Sequence, residues 1–126
     1  MRKRIKKRFD VAVPGSGSVV SQTFDLDKNI VLIHGLLLTS SRDDLMYYRG
    51  SQKIEINRDE IFPDGYESKL LMSGVNVSPD DRYYSLGGKE PGNFKVKIDY
   101  TDTDTPVIAF TPYRVSLYLN CEIEEV

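Results

Sequence analysis

The densest chemical feature of this 126-residue chain is a run of cationic side chains at its start. The run consists of Arg2, Lys3, Arg4, Lys6, Lys7 and Arg8. No acidic residue precedes Asp10, so residues 1–8 carry a formal charge of +6 while residues 9–126 carry −8. Such a segment can neutralise nucleic-acid phosphates, lie on an anionic membrane surface, or dock on an acidic patch of a neighbouring subunit. A solubilising tail is the alternative. Because Ile5 is the only apolar residue among these cations, we expect the segment to be extended or disordered in isolation.

Two tyrosine pairs, Tyr47-Tyr48 and Tyr83-Tyr84, form a second group of candidate binding residues. On a strand, neighbouring side chains point to opposite faces, so one tyrosine of each pair can face outward while the other lies inside. An outward tyrosine can anchor a protein interface or stack on sugars or bases. The alternative is that these are ordinary half-buried aromatic residues.

Three clustered aspartates, Asp99, Asp102 and Asp104, are candidate metal ligands. Carboxylates at this spacing can share a Ca²⁺ ion, although acidic turns are common without one. We therefore predict no metal and no cofactor, with these aspartates as a weak calcium candidate.

Catalytic constellations are scarce, because the chain has one histidine and one cysteine. A single Cys cannot close an internal disulfide, and a single His cannot build a multi-histidine metal site. Residues 31–37, around His34 and Gly35, resemble the strand-and-His-Gly segment of α/β-hydrolases, but the G-x-S-x-G nucleophile elbow is missing. We predict that the protein is not an enzyme. His34 is then a strand histidine that is hydrogen-bonded or faces solvent, and Cys121 is an inert buried thiol.

The elements that would position these residues are strands, because the clearest hydrophobic periodicity is two. Apolar and polar residues alternate from Phe94 to Tyr100, from Tyr113 to Ile123 and from Lys53 to Asn57. The continuous apolar run Ile30–Leu38 indicates a central or doubly covered strand, and Gly35 within it predicts a bulge or a bend.

Turn signals at short intervals leave room for further short strands. We predict these strands at Val19–Phe24, Leu45–Tyr48, Glu67–Met72 and Val107–Phe110, and one helical turn at Arg58–Phe62. This pattern predicts an all-β, antiparallel sandwich or barrel of about eight strands, with a jelly roll favoured over an immunoglobulin-like sandwich. We divide the chain into a basic N-terminal arm with a flexible Gly15-Ser16-Gly17 joint (residues 1–17) and a single sandwich domain (residues 18–126).

A compact β-body behind a basic arm resembles a small virion structural protein of the single jelly-roll type, as found in bacteriophage capsids. The resemblance rests on the arm Arg2–Arg8, the joint Gly15–Gly17 and the strands that end at Tyr113–Ile123. Residues 47–56 and 61–65 also resemble bacteriophage structural proteins. This resemblance implies a non-enzymatic capsid, vertex, cement or minor coat subunit that takes no small-molecule substrate. Such a subunit would form homo-oligomers and contact other virion proteins. Its arm would contact the genome, a membrane or a neighbouring subunit, and its location would be the virion, assembled in the host cytoplasm. We expect no secretion signal and no transmembrane segment.

The rival hypothesis is a carbohydrate-binding β-sandwich module. It would use Tyr47, Tyr48, Tyr83 or Tyr84 as stacking platforms, and the absence of Trp counts against it.

Overall fold

The computed structural model describes residues 1–73 and 76–124, which form two four-stranded antiparallel sheets. The strands are β1 (Arg2–Val13), β2 (Val19–Asp25), β3 (Ile30–Ser40), β4 (Gly50–Ile56), β5 (Asp59–Glu67), β6 (Tyr84–Lys89), β7 (Lys95–Asp102) and β8 (Tyr113–Glu124). A seven-residue helix, α1 (Asp43–Arg49), joins β3 to β4, and short 3-10 helices occupy Ser68–Leu71 and Pro79–Arg82. The predicted all-β sandwich of about eight strands is confirmed. Residues 74, 75, 125 and 126 of the predicted domain lie outside the described residues.

The strand order follows from nested pairing along the chain. The first sheet has the order β1-β8-β3-β6 and the second has β2-β7-β4-β5. β1 pairs with β8, β2 with β7, β3 with β6 and β4 with β5, all antiparallel. The innermost turn is Asn57-Arg58, whose positive φ values of 55° and 64° are those of a two-residue type I′ hairpin. The chain is thus one long hairpin whose successive strand pairs alternate between the two sheets.

The core lies between the sheets and is built from the residues that the alternation predicts. Val96, Ile98 and Tyr100 of β7 are buried, as are the odd-numbered residues of β8 from Tyr113 to Ile123. The bulge at Gly35 is also confirmed, because the register of β3 shifts between Ile33 and Gly35. A Cβ atom at Gly35 would lie 2.8 Å from the carbonyl oxygen of Tyr84, so the missing side chain lets β6 approach β3.

Four local predictions are wrong. Residues 45–48 belong to α1, because Leu45, Met46 and Arg49 fall on one side of a helix and are all buried there. Residues 58–62 form the turn and first part of β5 instead of a helical turn. Residues 68–71 are 3-10 helix and residues 107–110 are loop. In addition, β6 was not predicted, because Gly87 and Gly88 within it are typical turn residues and hide its strand pairing.

The basic segment is a strand of the first sheet instead of an arm. β1 pairs with β8 along its whole length, from Arg2 opposite Glu124 to Val13 opposite Tyr113. Its inward side carries Ile5 and Phe9, and the Phe9 ring stacks on Phe24 of β2 with 4.7 Å between centroids. The apolar contacts of Ile5 and Phe9 therefore hold β1 in the sandwich. The charged residues between them hide the strand's hydrophobic alternation in the sequence. The predicted boundary between residues 17 and 18 is replaced by a turn that carries the chain from the first sheet to the second.

Within the described ranges, no helix is long and apolar enough to cross a membrane.

Candidate functional site

The six predicted cations are divided between the two faces of β1. Because strand residues alternate, Arg2, Arg4, Lys6 and Arg8 share the outer face, while Lys3 and Lys7 are on the side of Ile5 and Phe9. Lys7 forms an ion pair with Asp27 at the open edge of the sandwich. β1 is an edge strand, and inward-pointing charges on an edge strand oppose pairing with a further strand.

Acidic neighbours neutralise both ends of the cationic row. Arg2 donates hydrogen bonds of 3.0 Å to Glu122 and to Glu124, and Arg8 donates one of 2.8 Å to Asp10. Hydrogen bonds from His34 and Arg2 hold the pKa of Glu122 below its ordinary value. The charge of the outer face is therefore least compensated in the middle of the row, at Arg4.

Arg4 borders a shallow depression of about 290 Å³ that crosses all four strands of the first sheet. We call it the basic trough, and its lining is Arg4, His34, Gly35, Tyr83, Ser85, Gly87, Gly88 and Asn120. Lys6 donates a 3.4 Å hydrogen bond to Asn120 and lies 5.4 Å from the centre of the Tyr83 ring. His34 Nε2 lies 2.9 Å from Glu122 Oε1, so the predicted hydrogen-bonded strand histidine is confirmed. The Arg4 side chain makes no hydrogen bond or ion pair with any described residue, which leaves its guanidinium available to an anionic group.

Tyr47 and Tyr48 do not follow the strand alternation. Tyr47 and Tyr48 lie on α1 and are both exposed, at 47% and 56%, with ring centroids 5.0 Å apart and edge to face. Tyr84 is also exposed, but its ring packs edge to face on Phe62, and Tyr83 is half-buried beside Gly35. Only the first pair forms an outward aromatic surface, which we call the tyrosine ridge (Tyr47 and Tyr48).

The tyrosine ridge borders two grooves that share no other lining residue. The first groove, of about 460 Å³, is otherwise lined by Arg49, Gly50, Ser51, Gly65, Glu67, Lys69 and Thr103. The second groove, of about 350 Å³, is otherwise lined by Asp43, Asp44 and Met72. Both lie at one end of the sandwich, where α1, the start of β4, the end of β5 and the loop after β7 meet.

A buried ion pair fixes α1 in this position. The Arg49 side chain is only 1% exposed, and it donates hydrogen bonds of 3.0 and 2.9 Å to the two carboxylate oxygens of Asp102. Its Nη1 donates to the carbonyl oxygen of Ile108 at 3.1 Å, and Nη2 also donates to Ser16 Oγ at 2.7 Å. The predicted flexible joint at residues 15–17 is therefore tied to α1, because the Gly17 N–H also donates to Asp102 at 3.0 Å.

The same cluster holds two tyrosine hydroxyls in their neutral form. Tyr113 donates a 2.7 Å hydrogen bond to Asp102, and its hydroxyl lies 2.9 Å from that of Tyr100. Burial raises the pKa of Tyr100 to about 12 and raises the pKa of Tyr113 further. Burial also opposes ionisation of Asp102, but the hydrogen bonds from Arg49, Gly17 and Tyr113 outweigh it and hold its pKa below the ordinary value. The cluster thus keeps one charged pair and two neutral phenols.

The candidate calcium ligands do not come together. The carboxylate of Asp102 is buried and bound to Arg49. Asp99 lies on the opposite face of β7 and accepts a hydrogen bond from Ser21, and Asp104 is exposed. No group of three His, Cys, Asp or Glu residues that could hold a metal occurs in the part of the chain that the structure describes. The alternation of β7 could have predicted that Asp102 is buried, because it continues the even, inward positions of Val96, Ile98 and Tyr100.

Cys121 is buried on the inward side of β8, as predicted, and burial raises the pKa of its thiol to about 11. No signal in the sequence singled out Arg49, because arginine is rarely buried and the buried side of a helix is normally apolar.

Comparison with known proteins found no matching family model, no matching curated protein and no matching solved structure.

Proposed function

We propose that this protein is a non-enzymatic structural subunit with a jelly-roll fold that assembles into, or attaches to, a virion shell. The observation that carries the proposal is the nested strand order, β1-β8-β3-β6 facing β2-β7-β4-β5. Eight antiparallel strands in two sheets are typical of the jelly roll, which recurs in viral capsid proteins, lectins and cupins.

The alternation between sheets favours the jelly roll over an immunoglobulin-like sandwich. In the immunoglobulin fold several consecutive strands, such as D and E or F and G, pair within one sheet. Here β4 and β5 are the one consecutive pair within a sheet, and every other connection between the described strands changes sheet. Among jelly-roll functions, a cupin-like metal centre is disfavoured because the chain has a single histidine.

The outer face of β1 is the proposed contact surface. Arg4 and Lys6 project from a strand that is paired along its whole length, so their positions are fixed before any partner binds. Residues 9–126 carry a formal charge of −8, so a neighbouring copy of this chain can supply the anionic surface. An acidic surface of another virion protein, a genome or an anionic membrane could supply the same negative charge.

Sedimentation velocity of the full chain over a range of protein and salt concentrations tests this proposal. We expect a defined oligomer that weakens with salt and with the double variant Arg4→Glu/Lys6→Glu. The matched control is Lys95→Glu/Lys97→Glu, which makes the same change in net charge on the outer side of the second sheet. A strict monomer at every concentration contradicts assembly, and equal loss in both variants contradicts the role of β1.

A further inference from the structure

We infer that the tyrosine ridge and its two grooves bind a neutral saccharide, a function that does not depend on assembly of the subunit. Exposed apolar side chains are concentrated here. The eight large apolar residues that are exposed among those described are Met1, Val19, Tyr47, Tyr48, Leu70, Val77, Tyr84 and Val107. Three of these eight lie on α1 and the adjoining 3-10 helix Ser68–Leu71. Such a concentration marks a binding surface.

The aromatic surface is rigid. Leu45 and Met46 anchor α1 in the core, and Arg49 anchors its last turn through Asp102. A tyrosine has few rotatable bonds, so stacking a ligand on a ring already held by a packed helix costs little conformational entropy. Lys69 lies 5.8 Å from the centre of the Tyr47 ring and further restricts it.

The polar groups around the ridge match the hydroxyl groups of a sugar. The first groove presents the Ser51 and Thr103 hydroxyls together with the Glu67–Lys69 ion pair, whose atoms are 2.9 Å apart. The second groove presents the carboxylates of Asp43 and Asp44. Volumes of about 460 and 350 Å³ lie within the range of roughly 300–1,000 Å³ typical of small-ligand sites. Because the two grooves share only Tyr47 and Tyr48, the site suits a chain of at least two sugar rings.

The local charge selects a neutral ligand over an anionic one. Asp43, Asp44 and Glu67 are opposed by Arg42 and Lys69, while Arg49 and Asp102 neutralise each other inside the protein. The rim therefore carries a net charge of about −1 at neutral pH. Nucleic acids and sulfated or sialylated glycans bind through cationic contacts, which this rim does not supply in excess. Charged and hydroxyl groups along both grooves also disfavour burial against an apolar protein surface.

An array of immobilised oligosaccharides tests the inference with the full chain. The array holds neutral members (hexose, N-acetylhexosamine and fucosylated types) beside sialylated and sulfated members. We expect binding to neutral members, and a loss of affinity of about tenfold or more for Tyr47→Ala/Tyr48→Ala. The control is Tyr84→Ala, which removes an equally exposed tyrosine outside both grooves and keeps the binding. Titration of the labelled protein with the best neutral member should shift the amide resonances of Gly65, Lys69 and Thr103.

Three results overturn the inference. They are the absence of binding to any neutral member, binding confined to anionic members, and retention of affinity by Tyr47→Ala/Tyr48→Ala. Should that double variant instead dissociate an oligomer while saccharide binding is absent, the ridge is a contact between copies. If the protein forms an oligomer but binds no member of the array, the proposed assembly is supported and the saccharide site is refuted. The two proposals can therefore fail separately.

Discussion

The Asp102→Ala substitution is the sharpest test of how the sandwich end is held together. Asp102 accepts four hydrogen bonds: two from Arg49, one from the Gly17 N–H and one from the Tyr113 hydroxyl. Removal of the carboxylate leaves the Arg49 guanidinium buried without its counter-charge, which typically costs about 3–5 kcal/mol. Because the Gly17 and Tyr113 donors also lose their acceptor, we expect a loss of at least the middle of that range.

A loss of about 4 kcal/mol is a large share of the roughly 5–15 kcal/mol that stabilises a domain. In a chain of this length it corresponds to a fall of about 15 °C in melting temperature. Urea unfolding followed by circular dichroism measures the change directly. Asp104→Ala is the control: its side chain is 85% exposed and lies 3.6 Å from Arg49, so its removal should cost less than about 1 kcal/mol. The reasoning is refuted if Asp102→Ala is no more costly than this control.

Three further predictions concern β1, acid stability and the thiol. Deletion of residues 1–8 should lower the melting temperature, because it removes the half-buried Ile5 and most of the pairing with β8; an unchanged calorimetric transition would show that the segment is dispensable. The free energy of unfolding should fall as the pH drops below about 4, because the folded-state pKa of Asp102 lies below its ordinary value of 3.8 and its ionised form stabilises the fold above that pH. Urea titrations at several pH values measure this, and Asp102→Asn should show a smaller dependence. Cys121 should react with a thiol reagent only at the rate of unfolding, and rapid labelling of the native protein would contradict its burial.

The sequence predicted the strands whose alternation is uninterrupted. β7 and β8 alternate cleanly, so both strands were predicted, although β7 runs from Lys95 to Asp102 and β8 ends at Glu124. β1 was missed because Lys3 and Lys7 occupy inward positions at the edge of the sandwich, where their ammonium groups still reach solvent or an acid. α1 was missed because seven residues are too few for a helical period to emerge from the sequence alone.

The sequence singled out residues of both candidate sites, but it did not predict how the fold arranges them in space. The row of cations was correctly singled out, yet its placement on a sheet face depends on pairing with β8, more than a hundred residues away. The tyrosine ridge depends on a helix that is held by a long-range ion pair between Arg49 and Asp102. A local sequence pattern carries no information on either contact.

Electron microscopy of the purified full chain at high concentration tests the proposed role in assembly most directly. The account predicts symmetric particles or rings whose subunits have the dimensions of one eight-stranded sandwich, with the outer face of β1 at a contact between neighbours. A field of uniform single subunits under every salt condition, in agreement with a monomer by sedimentation, would contradict it.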